Sequence, residues 1–107
     1  MSDILERVQG LVSREEVEVS RHGFRELTAD DILLDDVLAG IRDAISIEEY
    51  PAFVKGPSIL VLQRDHDQRP LHIVWGIPKD RTSPAVIVTA YRPDPERWSD
   101  DFLRRRR

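Results

Sequence analysis

The sequence contains no cysteine. That absence removes a disulfide framework, a thiolate zinc site and a cysteine nucleophile. Nor does any apolar run approach the roughly 20 residues that cross a bilayer as a helix. The first residues, Met1-Ser2-Asp3-Ile4-Leu5-Glu6, lack the basic region and apolar stretch of a secretory leader, so a cytoplasmic location is expected. Internal repeats and low-complexity linkers are absent too. Histidine is scarce, three in 107 residues, and no pair shows H-x-H or H-x-x-x-H spacing. His22, His72 and carboxylates are the residue types a metal would use, but no spacing supports a metal site and no cofactor is expected.

What remains is an ordinary globular composition: 40% hydrophobic and 34% charged residues, too apolar for a disordered chain. The length suits a single domain, residues 1–107, with one core. The net charge of −4 argues against non-specific nucleic-acid binding by the whole surface. Acid gathers in Glu15-Glu16 and across Asp30-Asp31 and Asp35-Asp36, whereas Arg104 to Arg107 form a basic run that reads as a solvated end.

Ile4, Leu5, Val8, Leu11 and Val12 recur at helical spacing and predict a short amphipathic helix. Ser13-Arg14-Glu15-Glu16 resembles a capping box, yet Val17-Glu18-Val19-Ser20 alternates like a strand, and the two readings stay open. His22 to Leu27 suits one or two helical turns. Thr28 followed by Asp31 is a helix start, and the stripe Leu34, Val37, Leu38, Ile41 and Ile45 predicts a helix of about four turns. Ser58–Gln63, Leu71–Ile77 and Ala85–Tyr91 are rich in Ile, Val and Leu, with polar turns between them too short for helical crossovers. Asp94-Pro95 looks like an N-cap with proline at the first helical position, and Trp98 and Phe102 would dock that last helix. The expected fold class is therefore α+β. Mainly helical residues 1–47 pack on an antiparallel meander of three to four strands at 57–92, with a C-terminal helix at 94–104.

Strand alternation divides the side chains between two sheet faces. Ile59, Val61, Leu71, Ile73, Trp75, Val86, Val88 and Ala90 form the expected core face, with Gln63 its only polar member. Leu60, Leu62, His72, Val74, Ile87, Thr89 and Tyr91 form the second face. With a loop from Pro78 to Ser83, His72 falls opposite Thr89; a register shifted by two would set it beside Ile87 or Tyr91.

An imidazole, a hydroxyl and a phenol on one face, with arginines nearby, suit metal-independent RNA cleavage. That reaction needs a base for the 2′-hydroxyl, an acid for the leaving oxygen and cations for the charge on phosphate. His22 and His72 can carry protons, Arg25 and Arg69 can grip phosphate, and Tyr91 can bond or stack on a base. Taken singly, each has a plainer role: a strand histidine is commonly a hydrogen-bonded structural residue, and threonine suits strands by shape. His66, between two aspartates in a turn, reads as exposed and incidental.

Several segments follow one another in a recognisable order: Val19-Ser20-Arg21-His22, Thr28-Ala29-Asp30-Asp31-Ile32, Glu49-Tyr50-Pro51, Gly56-Pro57-Ser58-Ile59-Leu60, Arg69-Pro70-Leu71-His72-Ile73-Val74 and Thr89-Ala90-Tyr91-Arg92-Pro93-Asp94…Trp98. The order resembles a bacterial family of small domains of unknown function patterned S-x-H…D-I…E-x-Y-P…G-P-S-x-L…R-P-L-H-V-V…T-x-Y-x-P-D-x-x-x-W. That resemblance covers about residues 15–107. It implies a compact RelE/MqsR-like toxin fold, an RNA endonuclease activity and an antitoxin-like protein partner, by analogy of fold and gene neighbourhood. The polar positions it marks are Ser20, His22, Arg69, His72, Thr89 and Tyr91. Two departures stand out: many members carry a further arginine after the S-x-H motif, where this chain has Arg25 and then Glu26, and many have alanine at Gly23. The alternative function is a non-catalytic protein-interaction module of the same fold.

Overall fold

The computed structural model describes residues 3–107; Met1 and Ser2, part of the stretch read for a leader, lie outside them. The fold is α+β, with α1 (Asp3–Ser13), β1 (Val17–Val19), α2 (Arg21–Ala29), α3 (Leu34–Gly40), a 3-10 turn (Ile41–Asp43), β2 (Ile45–Tyr50), β3 (Ser58–Arg64), β4 (Pro70–Gly76) and β5 (Ala85–Tyr91). No helix among the described residues is long and apolar enough to cross a membrane.

The sheet has five strands, ordered β1-β5-β4-β3-β2, rather than the three to four expected. The Val17–Val19 ambiguity resolves as a strand, parallel to β5 through Val17↔Ala85 and Val19↔Ile87. The four-turn helix expected through Ile45 stops at Gly40. A Cβ there would sit 3.0 Å from Gln63 Nε2 and 3.1 Å from Arg64 O, so glycine lets the chain turn against β3. Ile45 then opens β2, half exposed, and β2 pairs antiparallel with β3. Within residues 1–47, expected to be mainly helical, the structure places β1 and the first three residues of β2 beside the three helices.

The core joins one sheet face to Ile4, Val8 and Leu11 of α1, Leu27 of α2, Val37 of α3, and Ile32 and Ile41. Each such aliphatic side chain, fully buried, contributes roughly 1.5–3 kcal/mol by transfer. Gln63, the polar member of this face, is satisfied: its Nε2 donates to Val37 O at 2.9 Å, and its Oε1 accepts from Trp75 Nε1 at 2.9 Å.

A bulge changes the expected faces. Val74 pairs with Thr89 but Trp75 pairs with Ile87, leaving Val88 as the extra residue. One added residue inverts alternation beyond it. Ile87 and Ala85 therefore enter the core, while Val86 and Val88, expected there, move to the second face. The same pairing puts His72 opposite Tyr91 instead of Thr89.

The C-terminal helix expected at 94–104 is not formed. After a turn in which Arg97 and Trp98 both donate to Asp94 O, the chain doubles back, with Trp98 bridging Arg105 and Arg106 N donating to Arg97 O at 2.8 Å. Local side chains win over the helix. Ser99 Oγ donates to the Asp101 carboxylate, which also accepts Leu103 N–H, and Phe102 takes a positive φ of 62°.

Candidate functional site

The second sheet face has two halves. Over one, the returning C-terminal segment lies across His72 and Tyr91. The other is open, a groove of about 550 Å³. Ser58, Val74, Val86, Val88 and Thr89 floor it, and Gly76 deepens it by carrying no side chain. Tyr50, Phe53 and Lys55 rise from the end of β2 and the following loop, and Ser20 and His22 from the start of α2. Phe53 is 51% exposed and the neighbouring Val54 73%.

Two glycines set this geometry. Gly56 has φ +124°, and a Cβ there would come within 2.0 Å of Ile77 O, so the wall loop can fold only around glycine. Gly23 lets α2 press on β5, where a Cβ would sit 2.5 Å from Ile87 O. Ser20 fixes the helix start. Its Oγ accepts Gly23 N–H at 2.9 Å and donates to Val88 O at 3.1 Å, at the bulge. His22 stands at the mouth, largely exposed, with Nε2 3.1 Å from Glu26 Oε1. The histidine at the mouth is thus paired with an acid one helical turn on.

His72 is fully buried. Its Nε2 lies 2.8 Å from Phe102 O and its Nδ1 3.1 Å from Tyr91 Oη. A carbonyl can only accept, so Nε2 carries the proton and Nδ1 accepts from the Tyr91 hydroxyl. Trp98 packs edge-on at 4.4 Å between ring centroids. Burial holds the imidazole below its ordinary pKa, a shift the Phe102 carbonyl opposes and the nearby Arg105 charge reinforces. Burial likewise pushes the Tyr91 phenol up. His72 is thus a neutral ring with both nitrogens occupied.

The structure brings Ser20, His22 and Thr89 together in the groove and pairs His72 with Tyr91 beneath the C-terminal segment. It does not join the two histidines in one site. Arg25 is exposed on α2, and Arg69 is exposed at the β3–β4 turn, where its backbone N–H donates to Asp65. Neither lines the groove. His66 is exposed as expected, but its Nδ1 is 2.8 Å from Asp36 Oδ2 and ties the turn to α3. That hydrogen bond, with the charges of Asp36 and Asp67, raises its pKa. Among the described residues, no group of three or more histidines and carboxylates is arranged to hold a metal.

Sequence reasoning missed Tyr50, Phe53 and Lys55, whose signal was an aromatic and apolar cluster beside Pro51 and Gly56 in a loop. It also missed Asp65, read as part of a polar turn but buried. Asp65 accepts from Asp67 and Arg69 N–H at 2.9 Å each and pairs with Arg92 at 3.0 Å. Burial alone would raise its pKa; the Arg69 N–H, the Arg92 guanidinium and the Asp67 N–H outweigh that and hold the carboxyl below its usual range. Arg92 also donates to Asp30 O and Asp31 O, locking the exit of β5 to the end of α2.

No curated protein and no solved structure matches the chain. One family profile does, over residues 19–92, from the last residue of β1 to Arg92. That stretch holds α2, the groove floor and the His72–Tyr91 pair, and stops short of the C-terminal segment that covers them. The chain belongs to the family described as Domain of unknown function, DUF4258.

Proposed function

We propose that the chain is a non-catalytic protein-interaction module that receives apolar side chains of a partner protein in the groove. The observation that supports this most is the groove itself: an open, mostly apolar floor beside exposed Phe53 and Val54, on a sheet face otherwise covered. Apolar surface of that kind, rimmed by polar groups, marks contact sites. The commitment of both His72 nitrogens supports it too, because cleavage with His22 and His72 as paired proton carriers needs two accessible rings. The motif order adds a RelE/MqsR-like architecture and, with it, an antitoxin-like partner. Lys55 and His22 on the rim favour carboxylates beside that partner's apolar anchors.

The rival, a metal-independent RNA endonuclease, rests on His22, whose exposed imidazole shares the groove with Thr89. Two measurements separate the readings. The purified chain should leave RNA intact in magnesium-free buffer; cleavage abolished by His22→Ala would restore the enzyme. The product of an adjacent antitoxin-like reading frame should bind by calorimetry, and Val86→Asp should weaken it at least about tenfold, the scale of one lost apolar anchor. Binding unaffected by Val86→Asp would refute the groove as the contact.

A further inference from the structure

The run Arg104–Arg107 is not a loose end. Arg104 N donates to Ser99 Oγ at 3.1 Å, Arg105 bridges Trp98, and Arg106 N donates to Arg97 O. Further bonds fix three of the guanidinium groups. Arg105 lies 5.0 Å from the Trp98 ring centroid and pairs with Glu48 at 2.6 Å, while Arg106 reaches Pro95 O and Asp100. Arg97 is loosely paired with Asp94 at 3.9 Å. Arg104 and Arg107 make no ion pair among the described residues, although the Arg104 charge helps hold the Asp101 carboxyl low.

The result is an ordered basic knuckle on an acidic molecule, with five arginines against two aspartates over residues 97–107 in a chain of net charge −4. Arg97, Arg105, Arg106 and Arg107 share a shallow recess of about 560 Å³ with Tyr91, Trp98 and a single acid, Glu96, so cations outnumber acids there four to one. Every cation here is arginine and none is lysine, and a planar guanidinium fork matches phosphate two oxygens at a time. An ordered fork also loses less freedom on binding than a mobile tail would. The knuckle lies outside residues 19–92, so it is separate from the family-matched groove.

We propose that this arginine knuckle is a binding site for the phosphodiester backbone of single-stranded RNA, which it holds without cutting and independently of the groove. Tyr91 lines the same recess and is an aromatic side chain that an unpaired base would meet there.

The test is fluorescence anisotropy of the full chain with a labelled 12-nucleotide oligouridylate across a salt series. The expected result is binding that weakens steeply with salt. Arg104→Gln/Arg107→Gln, which breaks no ion pair of the fold, should bind about tenfold more weakly. Its plot of log affinity against log salt should be flatter by about 1.4, since each contact with a single-stranded phosphate contributes ~0.7 to that slope. A charge-matched control, Arg14→Gln/Arg42→Gln on the helical side, should bind like the wild type. Equal loss in both variants would mean net charge alone and overturns the site. So does wild-type binding insensitive to salt or absent, or polyglutamate displacing the RNA at equal concentration of charge, which would assign the knuckle to an acidic protein. Melting curves superimposable with the wild type keep a loss of binding from being a loss of fold.

Discussion

His72 keeps its neutral form because Phe102 O takes its one N–H and Tyr91 supplies the other nitrogen with a donor. His72→Ala removes both bonds and leaves a void beside Trp98, so it should cost about 3 kcal/mol in urea denaturation. A purely exposed catalytic histidine would cost almost nothing. The same ring gives a pH dependence whose sign is fixed. Its folded pKa lies below the ordinary value of 6.5, so the unfolded chain takes up the proton first. The contribution is therefore complete above pH 6.5 and is lost as pH falls from there through the folded pKa. Asp65 works in the same sense at lower pH: its folded pKa is depressed, so its contribution is present above the ordinary carboxylate range and lost as pH falls through the folded value. Asp65→Asn should flatten the acid limb of a stability–pH curve and, by stranding Arg92, cost about 2 kcal/mol.

Among the elements, α2 is held by contact more than by its own length. Its Ser20 cap and Gly23 approach seat nine residues beside the part of β5 that the short β1 leaves unpaired. Gly23→Ala sets a methyl group against Ile87 O, so α2 must shift outward; the expected loss is about 1–3 kcal/mol in thermal or urea unfolding, and the mouth of the groove should widen. The C-terminal segment is the second such element. Deleting residues 98–107 removes the Trp98 ring and the Phe102 carbonyl that cover His72, so a hydrophobic dye should bind more strongly and the melting temperature should fall. A melting temperature unchanged by that deletion would show the segment to be a passive cover.

For the molecule as a whole, the radius of gyration is 12.9 Å, close to the roughly 13 Å expected for a compact chain of this length. Trp75 reports from the helical side of the sheet and Trp98 from the C-terminal segment, where it packs on His72. Their fluorescence should change in one transition on unfolding; two separated midpoints would mean that the segment melts on its own. At this scale the molecule divides its labour by face. One sheet face is closed by helices and half of the other by the returning chain, which leaves the groove open on that second face and the arginine knuckle beside it.

The α+β class, the three central strands and the residues of α1 that reach the core were legible in the sequence, because apolar periodicity reports directly on which side of an element is buried. The polar neighbourhood of His72 and Tyr91 was legible as well, since strand alternation fixes a face wherever no residue is inserted. A bulge has no such signature: Val86, Ile87 and Val88 are equally apolar, and only pairing with β4 selects which of them the core accepts. The lost C-terminal helix is a similar case, because Asp94-Pro95 starts a helical turn but Ser99 and Asp101 then satisfy their own backbone. What holds the His72 ring was not legible either, because its partner is a carbonyl thirty residues away, Phe102 O. Sequence determined which side chains share a surface wherever no residue is inserted; the tertiary structure alone determined the faces beyond the bulge, and which side chains water, or a partner, can reach.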